Sequence, residues 1–308
     1  MAEFKQLKIE LPNTKEGGTI DGNYAVISLN RPDALNALQT ETLKEVYLAL
    51  EEMEADKDIR CVVLRGTKDF TKKPAFSAGA DLATGFGKGL SPTVAADMML
   101  AMQQKHRYYH LIEAFPKPLI AAVDGFALGG GCELTLACDI VIATKRAIFG
   151  FPEIHRGIFP ANGGTQRMAR HIGQARAMNM IYFGEQFSGQ QMYDWGYVSF
   201  LTEEGDEFEK VIAEKAKYLG SAPTTSLAII KKAVKFGTQA ALDVGIQFEM
   251  MGFGLNSTSS DVTEGIAAFN RRIKCPKCGG KGKFEDGTTC PNCGGRKRIR
   301  DTPKYKGY

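Results

Sequence analysis

Glu133 stands two residues after three consecutive glycines, Gly129-Gly130-Gly131, and an apolar run over residues 119–123 leads into them. Three glycines in succession cost backbone entropy, so they mark a place where the backbone comes very close to something. A strand that ends in glycines and restarts as a helix leaves free N–H groups at the helix start. Those groups can bind an anion or a developing oxyanion. A carboxylate three residues beyond Gly130 then stands beside the reacting carbon. Tight helix–strand packing is the competing explanation for the glycines, and a buried ion-pair partner that for Glu133. Glu153, directly after Pro152, offers a second carboxyl that by itself reads as a turn cap or as a proton-transfer group. Ala75-Phe-Ser-Ala-Gly-Ala-Asp-Leu82 is another stretch whose small residues admit close backbone approach. Near the end, Cys275, Cys278, Cys290 and Cys293 form two Cys-x-x-Cys pairs with eleven residues between them, a spacing suited to metal thiolates.

The elements that must position these groups follow from periodicity. Residues 23–29, 59–64, 119–123 and 139–143 read as strands, 148–154 as a short strand, and 30–33 as a turn. Thr40 caps a helix whose Leu43, Val46, Tyr47, Leu50 and Met53 recur at helical spacing. Residues 84–92 read as a glycine-rich mobile loop. A helix over 94–112 carries Met98, Met99, Met102 and Tyr109 on one side, a stripe read as core packing. Residues 163–170 begin another helix, and from 174 to 270 the pattern is helical with brief breaks. Asp261-Val-Thr-Glu264 reads as the capping-box start of the last helix. Strands alternating with helices, then helices alone, imply an α/β fold with mainly parallel pairing and an all-helical segment.

Hydrophobic residues make up 44% and charged residues 24% of 308, ordinary values for a globular protein with a sizeable core. No run of about 18 apolar residues occurs, so no membrane span is expected. The N-terminus lacks a signal-peptide apolar region, which points to a cytoplasmic protein. Neither a G-x-G-x-x-G after the first strand nor a G-x-x-x-x-G-K-[ST] is present, so nucleotide binding of those kinds has no motif support. Residues 271–308 hold twelve Lys/Arg against three Asp/Glu, a net of +9, so the first 270 residues carry −5 of the total +4. That shift places a domain boundary near Arg271. Cys61, Cys132 and Cys138 lie in apolar surroundings and read as core thiols.

Five ordered segments within residues 20–272 resemble the crotonase (enoyl-CoA hydratase/isomerase) superfamily. Leu29-Asn-Arg-Pro-Asp-Ala-Leu-Asn-Ala-Leu38 resembles its CoA-contacting loop, and Phe76-Ser-Ala-Gly-Ala-Asp-Leu82 its first oxyanion segment. Residues 117–134 resemble the second oxyanion segment. Residues 149–153 and 157–167 resemble the second catalytic segment with its following helix, and residues 261–272 the C-terminal helix. The resemblance implies a spiral of ββα repeats over residues 1–200 and a helical trimerisation region over 201–272, in a trimer or hexamer. It implies an acyl-CoA substrate whose thioester oxygen sits between the N–H groups of Ala80 and Gly130. It implies Glu133 and Glu153 as the two catalytic carboxyls of a hydratase, one activating water for attack at Cβ and the other protonating Cα. It further implies contacts to the acyl-CoA from Ala34, Leu35, Ser77, Ala78, Asp81, Leu82 and Phe269, although Asp81 reads as a helix cap rather than a catalytic group. Asp33 departs from the lysine common at its place, and Phe151 and Phe159 are bulky. A double-bond isomerase, a dienoyl-CoA hydratase, a hydrolase of cyclic acyl-CoA and a non-catalytic acyl-CoA scaffold remain alternatives.

Residues 273–308 form a separate zinc-ribbon-like module. A glycine after each second cysteine permits the tight turn that aims N–H groups at thiolates, and four thiolates suit one structural Zn²⁺; iron and a disulfide pair are the alternatives. No cofactor is expected for catalysis itself. The basic tail suggests a protein partner or structural support. Nucleic acid is disfavoured, because no aromatics interleave with the run from Arg296 to Arg300.

Overall fold

The computed structural model describes residues 3–82 and 95–305, so the loop expected over 84–92 lies outside the described residues. The chain divides into two compact units, Met1–Gly220 and Ser221–Tyr308.

The first unit holds two sheets. One runs in the order β1 (Leu7–Glu10), β2 (Tyr24–Leu29), β3 (Cys61–Gly66), β5 (Leu119–Val123), β7 (Ile140–Thr144) and β10 (Phe200–Thr202). The other runs β4 (Ala75–Ser77), β6 (Phe126–Leu128), β8 (Ile148–Gly150) and β9 (Gln186–Ser188). The chain steps from the first sheet to the second three times, β3 to β4, β5 to β6 and β7 to β8, and keeps the same order in both. Pairing is parallel except where β1 joins β2 and β9 joins β8. Among the described residues, six α-helices lie among these strands: α1 (Thr40–Ala55), α2 (Ala95–Ala114), α3 (Gly130–Ala137), α4 (Gly164–Ile172), α5 (Gln174–Phe183) and α6 (Gly189–Asp194). A further helix, α7 (Asp206–Ser221), closes the unit.

The strands of the first sheet read as unbroken apolar runs because both faces are covered. Val62 and Leu64 of β3, with Leu119, Ala121 and Val123 of β5, face the main core. The intervening Cys61, Val63, Ile120 and Ala122 face Phe208, Ile212 and Ala216 of α7. Lys117, just before β5, is buried, and its Nζ donates to the carbonyls of Met53, Asp56 and Ile59 at 2.7–2.8 Å. It thereby ties the end of α1 and the turn that follows it to the start of β5. Burial draws its pKa down to about 8.

Several expected boundaries move. The strand expected over 59–64 is β3, displaced by two residues. The strand expected over 148–154 stops at Gly150, because Pro152 starts a short 3-10 helix, Pro152–Arg156. Helix α1 is capped from Gln39 rather than Thr40, with the Gln39 N–H donating to Thr42 Oγ1 at 3.1 Å. The stripe expected on α2 is core only in part: Tyr109 is 1% exposed and belongs to the main core, while Met99 is 64% exposed and Met102 lines a cavity.

The second unit contains α8 (Thr224–Lys235), α9 (Leu242–Asn256), α10 (Ser260–Asn270) and a ribbon of β11 (Arg272–Lys274) with β12 (Arg298–Arg300). Helix α10 is capped by Ser259, whose Oγ accepts from the Val262 N–H, so Asp261 falls inside the first turn instead of at the cap. The ribbon frames the four cysteines.

Candidate active site

Three parallel strands of the second sheet, β4, β6 and β8, end at the same edge, the side of a parallel sheet where ligands commonly bind. Beyond β4 comes the loop with Ala78, Gly79 and Ala80. Beyond β6 comes Gly129 and the start of α3. Beyond β8 comes Phe151-Pro-Glu153. One topological fact therefore brings together three segments, around residues 80, 130 and 153, that are distant in sequence.

The small residues permit close approach. Gly129 sits at φ +50°, and a Cβ there would lie 2.8 Å from Glu153 Oε1. At Gly131 a Cβ would lie 2.4 Å from the Ser77 carbonyl, so α3 rests directly on β4. Gly130 is the first residue of α3, where N–H groups lack intrahelical partners. The Ala80 N–H is equally open: the bridge between residues 38 and 80 uses the Leu38 N–H to Gly79 O and the Asp81 N–H to Leu38 O instead. Among the described residues neither N–H has a hydrogen-bond partner. They are neighbours, since a Cβ built on Gly130 would stand 3.7 Å from Ala80 N. The Tyr109 hydroxyl donates to Gly130 O at 2.8 Å and holds the start of α3 against α2.

The two carboxyls have different surroundings. Glu133 is 1% exposed and accepts three hydrogen bonds: from Asn162 N at 2.6 Å, Gly164 N at 2.9 Å and Asn162 Nδ2 at 3.0 Å. Burial raises its pKa, while these donors pull the other way and favour the anion. Glu153 Oε2 is buried without a partner among the described residues. Burial, followed by the charge of Glu133, raises the Glu153 pKa to about 7. The pair therefore sets a carboxyl held by three donors, which favour its anion, beside one that titrates near neutrality and whose Oε2 has no partner among the described residues. Two carboxyls with such unlike hydrogen-bond partners are the usual starting point for an acid and base assignment.

A cavity of about 360 Å³ joins these groups. That lies within the range for small-molecule sites. Ala80, Gly130, Glu133, Glu153, Met102 and Phe159 are among its lining residues, and Ala78 and Leu82 also reach it. Others among the expected contacts do not line it. Ser77 is fully buried, and its Oγ accepts from the Gly79 N–H at 3.1 Å, so it shapes the loop. Asp81 takes Arg31 Nη2 at 2.9 Å and Gln39 Nε2 at 3.0 Å, which ties the loop to the segment after β2. Ala34 and Leu35 lie in that segment, and Leu35 O accepts from the Ala78 N–H at 2.9 Å. Phe151 is core, while Phe159 lines the cavity. Phe269 belongs to the second unit, where the Arg300 guanidinium lies 3.6 Å from its ring centroid.

Sequence reasoning passed over the bracing of Glu133. Glu113 pairs with Arg167 at 2.5 and 3.0 Å, Arg167 Nη1 donates to Asn162 O at 3.0 Å, and Asn162 holds the carboxylate. Nothing in the sequence marks a link from residue 113 to residue 167. Lys105 was also missed. It lines the cavity one turn from Tyr109, and burial lowers its pKa. The spacing of residues 102, 105 and 109 on one helix face was the available signal.

In the second unit the four cysteines are buried, with Sγ atoms all within 4.8 Å of one another. Cys275 to Cys290 and Cys278 to Cys293 are both 3.9 Å, too far for disulfides. A tetrahedron with Zn–S bonds of about 2.3 Å has edges of about 3.8 Å. The Gly282 N–H donates to Cys278 Sγ at 3.2 Å and Asn292 Nδ2 to Cys275 Sγ at 3.3 Å. The Asn292 contact leads the lowering of the Cys275 thiol to about 6. The donor set fits a thiolate-bound metal ion.

Comparison with known proteins agrees with this geometry. The family model for enoyl-CoA hydratase/isomerase matches residues 19–277. The chain is 34% identical to a short-chain-enoyl-CoA hydratase of Clostridium acetobutylicum over 254 residues, 82% of this chain and 94% of that protein. It is 37% identical to the 2,3-dehydroadipyl-CoA hydratase of Escherichia coli over 244 residues, 79% and 91% of the two chains. The crystal structure of an enoyl-CoA hydratase from Bacillus anthracis superposes with a TM-score of 0.75 at 31% identity, covering 86% of this chain and 96% of that one. No described helix is long and apolar enough to cross a membrane.

Proposed function

Because the chain belongs to the enoyl-CoA hydratase/isomerase family, we propose that it adds water reversibly across the 2,3 double bond of an enoyl-CoA thioester. The observation that carries this reading is the pairing of two open N–H groups with two carboxyls of unlike environment around one cavity. The thioester oxygen lies between the Ala80 and Gly130 N–H groups, which stabilise the enolate as negative charge reaches it. Glu133 takes a proton from water as the water oxygen bonds to Cβ. Glu153 gives its proton to Cα. The elements of one water are added, and one proton returns from Glu133 to Glu153 to reset the pair. Reaction requires no cofactor beyond the CoA carried by the substrate. Mass analysis of the product from crotonyl-CoA tests the reading: one added water supports it, and unchanged mass overturns it.

The four cysteines hold one structural Zn²⁺ in this reading, and a reducing, cytoplasmic setting keeps their sulfurs as thiolates. Freshly purified protein is expected to contain about one zinc per chain. A strong chelator is expected to unfold the ribbon while leaving β-sheet circular dichroism from the first unit. Metal-free protein with an intact ribbon would contradict the assignment.

The proposed assembly is a trimer or hexamer through the helices of the second unit. Its support is apolar exposure there: Leu242, Met251, Phe253 and Leu255 are each 68–77% exposed. So many large apolar side chains exposed along one helix mark it as a surface for protein–protein contact. Light scattering should give about three or six times the chain mass of 33.6 kDa. A monomer mass would refute it.

A further inference from the structure

The cavity holds two cations that water addition does not use. Arg156 and Lys105 line it together with Glu133 and Glu153. Arg156 ends the short 3-10 helix Pro152–Arg156, which also carries Glu153. Such a helix turns once every three residues, so positions 153 and 156 share a face and lie about 6 Å apart along its axis. Arg156 therefore stands one turn beyond the carboxyl assigned to Cα. It is exposed, its Nη1 donates to the Pro152 carbonyl at 3.3 Å, and among the described residues it makes no ion pair. Burial leads the rise of the Glu153 pKa to about 7, and the nearby Arg156 charge pulls the other way. Gln186, opposite Gly150 in the pairing of β8 with β9, brings an amide to the same cavity.

Lys105 approaches from α2. It lies one turn before Tyr109, whose hydroxyl holds the Gly130 carbonyl, and it is half-buried. Burial lowers its pKa. Leu128, Ile158 and Phe159 give the cavity an apolar wall. An acyl group made only of hydrocarbon would press against Arg156 and take water from it without replacing the lost hydrogen bonds, which is costly. The catalytic carboxyls do not make up that loss. Glu133 is taken by the N–H groups of Asn162 and Gly164 and by Asn162 Nδ2. Glu153 must carry a proton to deliver one to Cα. A counter-charge for Arg156 is therefore left for the ligand to bring.

We propose that the enoyl-CoA taken by this site ends in a carboxylate, which Arg156 receives a few carbons beyond Cβ, with Lys105 adding a second positive charge to the cavity. The substrate class is then a thioester of a short dicarboxylic acid rather than of a simple fatty acid. A guanidinium suits the task, because its planar fork offers a carboxylate two parallel hydrogen bonds. One helical turn past Glu153 leaves room for a short tail. The phosphates of CoA are not the anions concerned: with the thioester oxygen between Ala80 and Gly130, CoA leaves the carbonyl on the side away from Cα and Cβ. The inference rests on the enoyl-CoA reading, which gives the acyl chain its direction.

The test is equilibrium titration of the full chain with saturated acyl-CoA thioesters, which bind without being hydrated. Glutaryl-CoA and adipyl-CoA end in a carboxylate, while pentanoyl-CoA and hexanoyl-CoA match them in length and end in a methyl group. In at least one matched pair the carboxylate is expected to bind about tenfold tighter, the order for one hydrogen bond to a charged group. Arg156→Gln should abolish that preference and change methyl-ended binding far less. Arg156→Lys should restore part of it, and Lys105→Met should narrow it by a smaller factor. Methyl-ended thioesters that bind as tightly as their carboxylate partners overturn the proposal. An Arg156→Gln protein that binds both kinds equally more weakly also overturns it, by making Arg156 a contact to the shared CoA portion or a support of the fold. Because binding is read without turnover, the two readings fail separately. A carboxylate preference in a protein that does not hydrate enoyl-CoA refutes only the hydratase reading, and hydration of crotonyl-CoA with no such preference refutes only this inference.

Discussion

Glu153→Gln is expected to lower kcat for enoyl-CoA hydration by about 10³-fold, within the range for loss of a positioned acid or base. KM should move much less, because the carboxyl acts mainly on the developing carbanion. The glutamine keeps the shape of the side chain against Gly129 but cannot deliver a proton to Cα. Glu133→Gln should cost a comparable factor for a different reason, since the amide cannot accept a proton from water. The pH profile separates the two. Hydration needs Glu133 ionised and Glu153 protonated. With Glu153 at about 7, kcat/KM for hydration falls as pH rises through that value. Water adds without net proton exchange with solvent, so dehydration crosses the same transition state and its kcat/KM falls over the same range. Glu153→Gln should erase that limb, while Asn162→Ala, which removes the donor at 3.0 Å, should shift the acidic limb of Glu133 upward. A Glu153→Gln enzyme with full activity, or with an unaltered basic limb, would remove Glu153 from the mechanism.

Gly130→Pro is expected to lower kcat by about 10²–10³-fold, the usual cost of one oxyanion donor. Proline is tolerated at the first position of a helix, and there it deletes the N–H while keeping a suitable φ. Its Cβ would meet the Tyr109 hydroxyl at 3.1 Å, a contact that must give slightly. Gly130→Ala adds the same Cβ but retains the N–H, so it measures the steric part alone. The alanine variant is expected to stay well above the proline variant. Equal losses would mean that packing against Tyr109, not donation to the thioester oxygen, is what glycine provides at this position.

Much of this site could be read before any coordinates, for identifiable reasons. The glycine triplet and Glu133 are contiguous, so local sequence holds the strand, the turn and the carboxyl together. Residues 119–123 gave a strand at its true bounds because an unbroken apolar run in a parallel sheet reflects burial on both faces. The pairing of Glu133 with Glu153 came from family resemblance, since nothing local to either residue specifies the other. Their meeting depends on β6 and β8 ending at one edge, a property of pairing register. The brace from Glu113 through Arg167 to Asn162 was invisible for the same reason. Helix caps at Gln39 and Ser259 were misplaced by one or two residues because several polar residues there could each have served. The cysteine pairs were legible because metal ligation fixes spacing within each turn.

A site that adds water through two carboxyls and an oxyanion hole leaves an isotopic signature in its product. Reaction of crotonyl-CoA in ¹⁸O-labelled water, followed by mass spectrometry of the thioester, tests it most directly. The expected product is a 3-hydroxyacyl-CoA carrying one ¹⁸O at Cβ, formed far more slowly by Glu133→Gln and Glu153→Gln. A thioester of unchanged mass with a shifted double bond, or label appearing in a released carboxylic acid, would contradict it.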